Sequence, residues 1–296
     1  MDGLRQKLAR KTTGQPLEDD EPSGMMESLS KRRDGHRGGL SAELADAVEG
    51  QVVPRLLLAH RGQAEALALD DLAWDLDPDV ITAFSHHVLS EDVEGLLQRV
   101  EALQARGIPL ESVYLDVLAP VARHLGDLWN EDLCDFTAVT VGLWRLQQLV
   151  RRLSPCFLQE SEGSEQGRRA LLVPAPGEQH TFGLGMVADF FRRAGWDVWS
   201  GAPSNAQEIA RIVRGEWFAV VGISVGCERN VEGLASAIHA IRRASRNRSI
   251  GVLVGGSVFV EHPEFVALIG ADASAHDGRQ AVTQAEALLG LLARRC

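Results

Sequence analysis

The chain has 296 residues, of which 45% are hydrophobic and 24% charged, and a formal net charge of −11. That length allows two compact domains and a tail, and the acidic balance excludes a chain that coats nucleic acid through a broad basic face. No apolar run approaches the roughly 20 residues that cross a bilayer. Met1-Asp2-Gly3-Leu4-Arg5 leads into no apolar core, so no secretory leader is expected. Cys134, Cys156, Cys227 and Cys296 stand singly, with no C-x-x-C pair. That pattern predicts neither a zinc ribbon nor a dithiol site and fits a reducing cytoplasm.

Residues 1–39 hold little aliphatic material and alternate Glu18-Asp19-Asp20-Glu21 with Lys31-Arg32-Arg33. Such a stretch buries too little apolar surface to offset the entropy of ordering, which predicts a disordered tail. From residue 40 to 155 the apolar spacing is helical. The pattern predicts a helix over Ser41–His60, interrupted near Pro54, and a second face at Val80, Ile81, Phe84 and Val88. A third helix carries Val93, Leu96, Leu97, Val100 and Leu103, with Ser90 as its N-cap and Gly107 past its end. A fourth runs from Leu110 to Leu128 with Pro120 inside, where a kink is expected. A fifth, capped by Asp135, carries Phe136, Val139, Leu143, Leu146, Val150 and Leu153. Amphipathic helices joined by short turns imply a helical bundle.

Residues 156–169 end in the polar Ser161–Arg169 stretch and read as a linker. From residue 170 to 296 strands and helices alternate. Strands are predicted at Ala170–Val173, Trp196–Trp199, Phe218–Ile223, Ile250–Val254 and Ala273–Ala275. Helices are predicted at Phe182–Arg193, Asn205–Val213 (with Glu208 placed for a capping box), Val231–Ile241, Pro263–Leu268 and Gln280–Leu292. The fold class is therefore α plus α/β: a helical bundle followed by a doubly wound, parallel, five-stranded, flavodoxin-like domain. Sheets of this kind bind ligands beyond the carboxyl ends of their strands, at the switch point of strand order.

The unusual residues fall in the loops of that rim. After the first strand comes Gly177-Glu178-Gln179-His180-Thr181-Phe182-Gly183, after the third Ser224-Val225-Gly226, and after the fourth Gly255-Gly256-Ser257. A loop histidine presents a neutral ring nitrogen to a metal when a neighbouring carboxylate holds the other nitrogen, and Glu178 stands two residues before His180. Gly183 permits close backbone approach at a helix start. Gly255-Gly256 leaves a slot without side chains, and Ser224 offers a hydroxyl in the same crevice. A phosphorylatable receiver domain is excluded: it needs Asp at the end of strand three and Lys after strand five, where this chain has Ser224 and His276-Asp277. No G-x-G-x-x-G follows the first strand, which argues against a dinucleotide site.

This arrangement resembles the cobalamin-binding domain of methionine synthase, cobalamin mutases, corrinoid methyl carriers and cobalamin photoreceptors, whose pattern is D-x-H-x-x-G, S-x-L and G-G in those loops. Here the motifs read E-Q-H-T-F-G, S-V-G and G-G; E-x-H is usual in the photoreceptor branch, and Gly226 stands for Leu. The resemblance implies His180 as the lower cobalt ligand. It implies Glu178, Gly183, Ser224, Gly255 and Gly256 around the cofactor and its displaced nucleotide base.

The bundle segment Tyr114–Gln147 resembles the photoreceptor cap, through L-x-P and L-G-x-x-W ending at Trp129, which is thereby implied at the cofactor's upper face. The light-dependent repressors place Glu-His after nine further residues, where this chain has Val139-Thr140. Trp129, Asp132, Phe136, Val139 and Thr140 instead match W-x-x-D-x-x-x-F-x-x-V-T of the AerR/PpaA antirepressors, a resemblance that spans about Val48 to the C-terminus. It implies a non-enzymatic, cytoplasmic, light-responsive regulator binding adenosyl-, methyl- or hydroxocobalamin. Its partner would be a PpsR/CrtJ-type repressor of photosynthesis genes, with direct DNA contact secondary. Two alternatives share the fold: a corrinoid methyl carrier for a separate methyltransferase, and a haem-binding redox or light sensor.

Overall fold

The computed structural model describes residues 78–159 and 168–293. The expected tail over 1–39, the helix over Ser41–His60 and most of the linker lie outside the described residues. No helix among the described residues is long and apolar enough to cross a membrane.

Four helical stretches form the bundle: α1 (Pro78–Ser90), α2 (Val93–Ala105), α3 (Leu110–Ser112) continued by a π segment (Val113–Leu118) and α4 (Ala119–Asn130), and α5 (Phe136–Phe157). The cap of α2 is Asp92, not Ser90. Ser90 closes the preceding helix by donating its hydroxyl to the His86 carbonyl at 2.7 Å, while the Asp92 carboxylate accepts from Gly95 N at 2.9 Å. Pro120 has no N–H for the carbonyl four residues back. The ladder widens just upstream instead of breaking, with Ala119 N donating to the Tyr114 carbonyl across a π turn. Asp135 caps α5 as expected, accepting from Ala138 N at 2.8 Å. That helix continues through Pro155 to Phe157, so a bundle boundary drawn at residue 155 falls inside it.

The second part is a sheet of β1 (Arg169–Pro174), β2 (Asp197–Ser200), β3 (Val220–Ser224), β4 (Gly251–Gly255) and β5 (Ala273–Ala275). All pairs are parallel and the order is β2-β1-β3-β4-β5. This is the flavodoxin-like order, with its switch point between β1 and β3. The central strands are buried on both faces, which is why they read as near-continuous apolar runs. Helices α6 (Phe182–Arg193) and α11 (Gly278–Ala293) supply one apolar layer around Phe191, Ala285 and Leu288. Helices α7 (Ala206–Gly215), α8 (Leu234–Ala244), α9 (Ser257–Glu261) and α10 (Glu264–Leu268) supply the other.

Local differences from the expected elements have local causes. Asn205 accepts from Glu208 N at 3.0 Å, but the Glu208 carboxylate takes Ser204 N at 2.8 Å, one residue earlier than a reciprocal capping box requires. The helix expected from Val231 opens with a 3-10 turn (Glu228–Val231) and begins again at Leu234 after Gly233. The one-turn helix α9 was absent from the expected elements; it follows Gly256 directly and buries Val258 and Phe259.

The bundle and the sheet domain share a seam. Met186 and Phe190 of α6 belong to the apolar core of the bundle. Tyr114 stacks on Phe157 with centroids 4.5 Å apart, and Phe190 meets Phe157 edge-on at 5.0 Å. Glu111 at the start of α3 accepts from Arg193 at 3.0 Å and from Arg279. Half-exposed ion pairs of that kind contribute at most about 1 kcal/mol each. The aromatic cluster buries far more surface, so it is the main holder of the seam.

Gly256 provides a test of the rim. It has φ +120°, and a Cβ there would lie 2.0 Å from the Val225 carbonyl oxygen. Gly256→Ala is expected to lower the unfolding free energy by about 2 kcal/mol or more in urea denaturation; unchanged stability would contradict this packing.

Candidate cofactor site

The loops after β1, β3 and β4 are fastened to one another at the rim. Ala175 N donates to the Ser224 carbonyl and Val225 N to the Gly255 carbonyl, each at 2.8 Å. The chain then turns at Gly177, with φ +85°, and sends Glu178 inward. The Glu178 side chain is 1% exposed, whereas His180 is 67% exposed. Glu178 Oε1 accepts from Gln179 N at 2.9 Å and His180 N at 3.0 Å, and lies 2.5 Å from His180 Nδ1. Oε2 accepts from Gly226 N at 2.7 Å and Asn230 Nδ2 at 2.9 Å.

Burial alone would push this carboxyl up. The backbone donors of His180 and Gly226, with the side chains of His180 and Asn230, outweigh it and hold the group down at about 2. Glu178 is therefore ionised at neutral pH and fixes the imidazole proton on Nδ1. In the neutral ring this contact leaves the lone pair on Nε2, the arrangement of a metal-ligating histidine.

His180 lines a cavity of about 830 Å³ between the sheet domain and the bundle. Gly183, Leu184 and Phe191 of the α6 region, Ser224 of β3, and Gly255 and Gly256 at the end of β4 line its sheet side. Leu115, Asp116, Ala119 and Arg123 form the bundle wall. A Cβ at Gly183 would meet nothing within 4 Å, so that backbone is open to close approach. The two glycines at the end of β4 have a second reason besides a free slot. A Cβ on Gly255 would come within 2.9 Å of the Ala275 carbonyl oxygen, and Gly256 abuts Val225. Burial pushes the Asp116 carboxyl up on the opposite wall, against a hydrogen bond from Ser112.

Six of the residues expected at the site thus meet at one rim: Glu178 beneath, and His180, Gly183, Ser224, Gly255 and Gly256 along the cavity. Trp129 is not among them. It stands at the C-terminal end of α4, 49% exposed and outside the cavity lining. Val139 is in the bundle core, and the Thr140 hydroxyl donates to the Phe136 carbonyl at 2.7 Å. Two contributors escaped the sequence reading. Asn230 lies in the 3-10 turn after β3 and carries no motif signal. Gly226, a departure from the S-x-L pattern, proves to be a close neighbour of the pair: a Cβ there would lie 3.1 Å from His180 Nδ1 and 3.3 Å from Glu178 Oε2.

Comparison with known proteins agrees with this geometry. The family model described as "B12 binding domain" matches residues 168–286, a span that holds all five strands of the sheet. Over 177 residues the chain is 29% identical to the "Uncharacterized 20.5 kDa protein in bchF-crtJ intergenic region" of Rhodobacter capsulatus, covering 60% of this chain and 92% of that one. Among solved structures it is similar in fold to the monomethylamine corrinoid protein of Methanosarcina barkeri. The TM-score is 0.60 at 15% identity, covering 74% of this chain and all of that one.

The residues present fit a corrin: an imidazole with a free Nε2 at the mouth, a glycine-lined crevice beside it, and a second wall above. Glu178→Gln keeps the shape but removes the charge. It is expected to cost about 2 kcal/mol of stability, measured by chemical denaturation. The carboxyl is held below its ordinary value of 4.5, so its stabilisation is complete above that pH and is lost as pH falls toward about 2. The wild-type and Gln proteins should therefore converge in stability over that window; a constant difference down to the lower limit would contradict the charge role.

Proposed function

We propose that the protein binds cobalamin with His180 as the lower cobalt ligand and acts as a light-responsive, non-enzymatic transcriptional regulator. Its action is that of an antirepressor on a PpsR/CrtJ-type repressor of photosynthesis genes. The observation that carries the first half is the His180 ring, held at Nδ1 by a buried carboxylate and facing a cavity roofed by the bundle. The second half is supported by the AerR-like segment from Trp129 to Thr140. It is also supported by the relative described as lying between bchF and crtJ.

His180 would hold the metal from below, and Ser224, Gly255 and Gly256 would line the crevice for the displaced base. Leu115, Asp116 and Arg123 would face the upper side from the bundle wall. When bound, the cofactor supplies a cobalt–carbon bond that visible light breaks. The residues on the bundle wall sense that change because they share the cavity, and the helices carrying them present the outer surface to the partner. Light then acts by shifting the relative weight of two packings of the bundle.

Protein loaded in the dark with adenosylcobalamin is expected to show a base-off, histidine-ligated spectrum and to change it on illumination. Affinity for a purified PpsR/CrtJ-type repressor should differ between the dark and lit states. His180→Ala is expected to lose the histidine-ligated spectrum. A spectrum and repressor affinity both indifferent to light would overturn the regulatory reading. Conversion to methylcobalamin by a methyl donor, or copurification of haem, would replace it with one of the two alternatives.

A further inference from the structure

Cys227 follows the Gly226 that packs against the imidazole, and no motif accounts for it. Donor atoms of Glu178, His180 and Cys227 all lie within 4.8 Å of one another, from two loops. A carboxylate oxygen, an imidazole nitrogen and a thiol are the donor set that zinc takes. Bond lengths near 2.3 Å for sulfur and 2.0 Å for nitrogen and oxygen place tetrahedral ligand atoms about 3.3–3.6 Å apart. With all three atoms within 4.8 Å, the thiol has at most about 1.3 Å to close, and the imidazole must open by about 1 Å from its 2.5 Å contact with Glu178. Both movements belong to side chains with room: Cys227 is partly exposed and His180 mostly so. Glu178 is anchored through Oε2 by Gly226 and Asn230, while Oε1, the oxygen at the ring, also accepts from Gln179 N and His180 N.

We propose that the cofactor-free protein binds one zinc ion, or a similar thiophilic divalent cation, through Glu178, His180 Nδ1 and Cys227, and that this ion excludes cobalamin. The cation replaces the proton between Nδ1 and the carboxylate. The imidazole stays neutral, so its proton moves to Nε2, while the Cys227 thiol gives its own proton to solvent. Nε2 is then a donor rather than an acceptor and cannot ligate cobalt from the cavity. The fourth position of the zinc faces solvent and takes water. The exclusion rests on His180 being the lower cobalt ligand, as proposed above; the cation site itself does not.

The test uses the full cofactor-free chain titrated with zinc chloride against a chromophoric chelator. Wild type is expected to bind one zinc that Cys227→Ser and His180→Ala each weaken by roughly tenfold or more. Cobalt(II) ion in place of zinc is expected to give a thiolate charge-transfer band that Cys227→Ser abolishes. Prior zinc loading should weaken aquocobalamin uptake by about tenfold or more in wild type and leave it unchanged in Cys227→Ser, whose own cobalamin uptake also reports correct folding. Equal zinc binding by wild type and Cys227→Ser, or no thiolate band, overturns the site. Zinc held through Cys227 with undiminished cobalamin uptake overturns the exclusion. Failure of the zinc-free protein to take up cobalamin overturns the cofactor reading instead, and the zinc titration still decides the site.

Discussion

One buried carboxylate organises this site. Glu178 is shut away from water yet remains charged, because donors from its own loop and from the loop after β3 converge on it. An ionised group so placed tolerates no missing partner. Its requirement for them ties the two loops together across the switch point. The same charge decides the tautomer of His180 and thereby which ring nitrogen is available at the cavity. The backbone of Gly226 and the side chain of Asn230 serve the imidazole without touching the cavity, which is why their role is visible only once Glu178 is located.

The sheet domain supplies one side of the cavity and the bundle the other, so their shared seam has functional weight. Phe157 and Tyr114 of the bundle pack with Phe190 of α6, the helix whose opening residues form the cavity wall beside His180. A change at the bundle wall is thus mechanically close to the helix that follows the histidine loop. Glu111, bridging Arg193 and Arg279, adds a polar fastening at the same seam, smaller in energy but directional.

Much of this arrangement was legible in the residues alone. Buried parallel strands advertise themselves as apolar runs, and their alternation with helices implied the observed strand order and hence the rim where His180, Ser224 and Gly255-Gly256 meet. Less legible were features set by contacts distant in sequence. Asn230 reaches Glu178 across 52 residues, and no spacing rule marks it. Gly226 looked like a lapse from a motif, although its missing side chain is what lets the loop pack on the imidazole. The π turn before Pro120 and the short helix after Gly256 depend on how a proline and a positive-φ glycine are absorbed locally. Trp129 shows the opposite limit: a motif placed it near the cofactor, and the structure sets it half-exposed at the end of α4.

The central claim is that the nitrogen beneath cobalt comes from His180, presented by Glu178, and not from the cofactor's own base. The most direct measurement is electron paramagnetic resonance of cob(II)alamin bound to protein carrying 15N-labelled histidine. Ligation by His180 predicts that each cobalt hyperfine line is split into a doublet by 15N, with the doublet lost in His180→Ala. A triplet from 14N, unchanged by the label, would mean that the nucleotide base still holds the cobalt, and the account would fail.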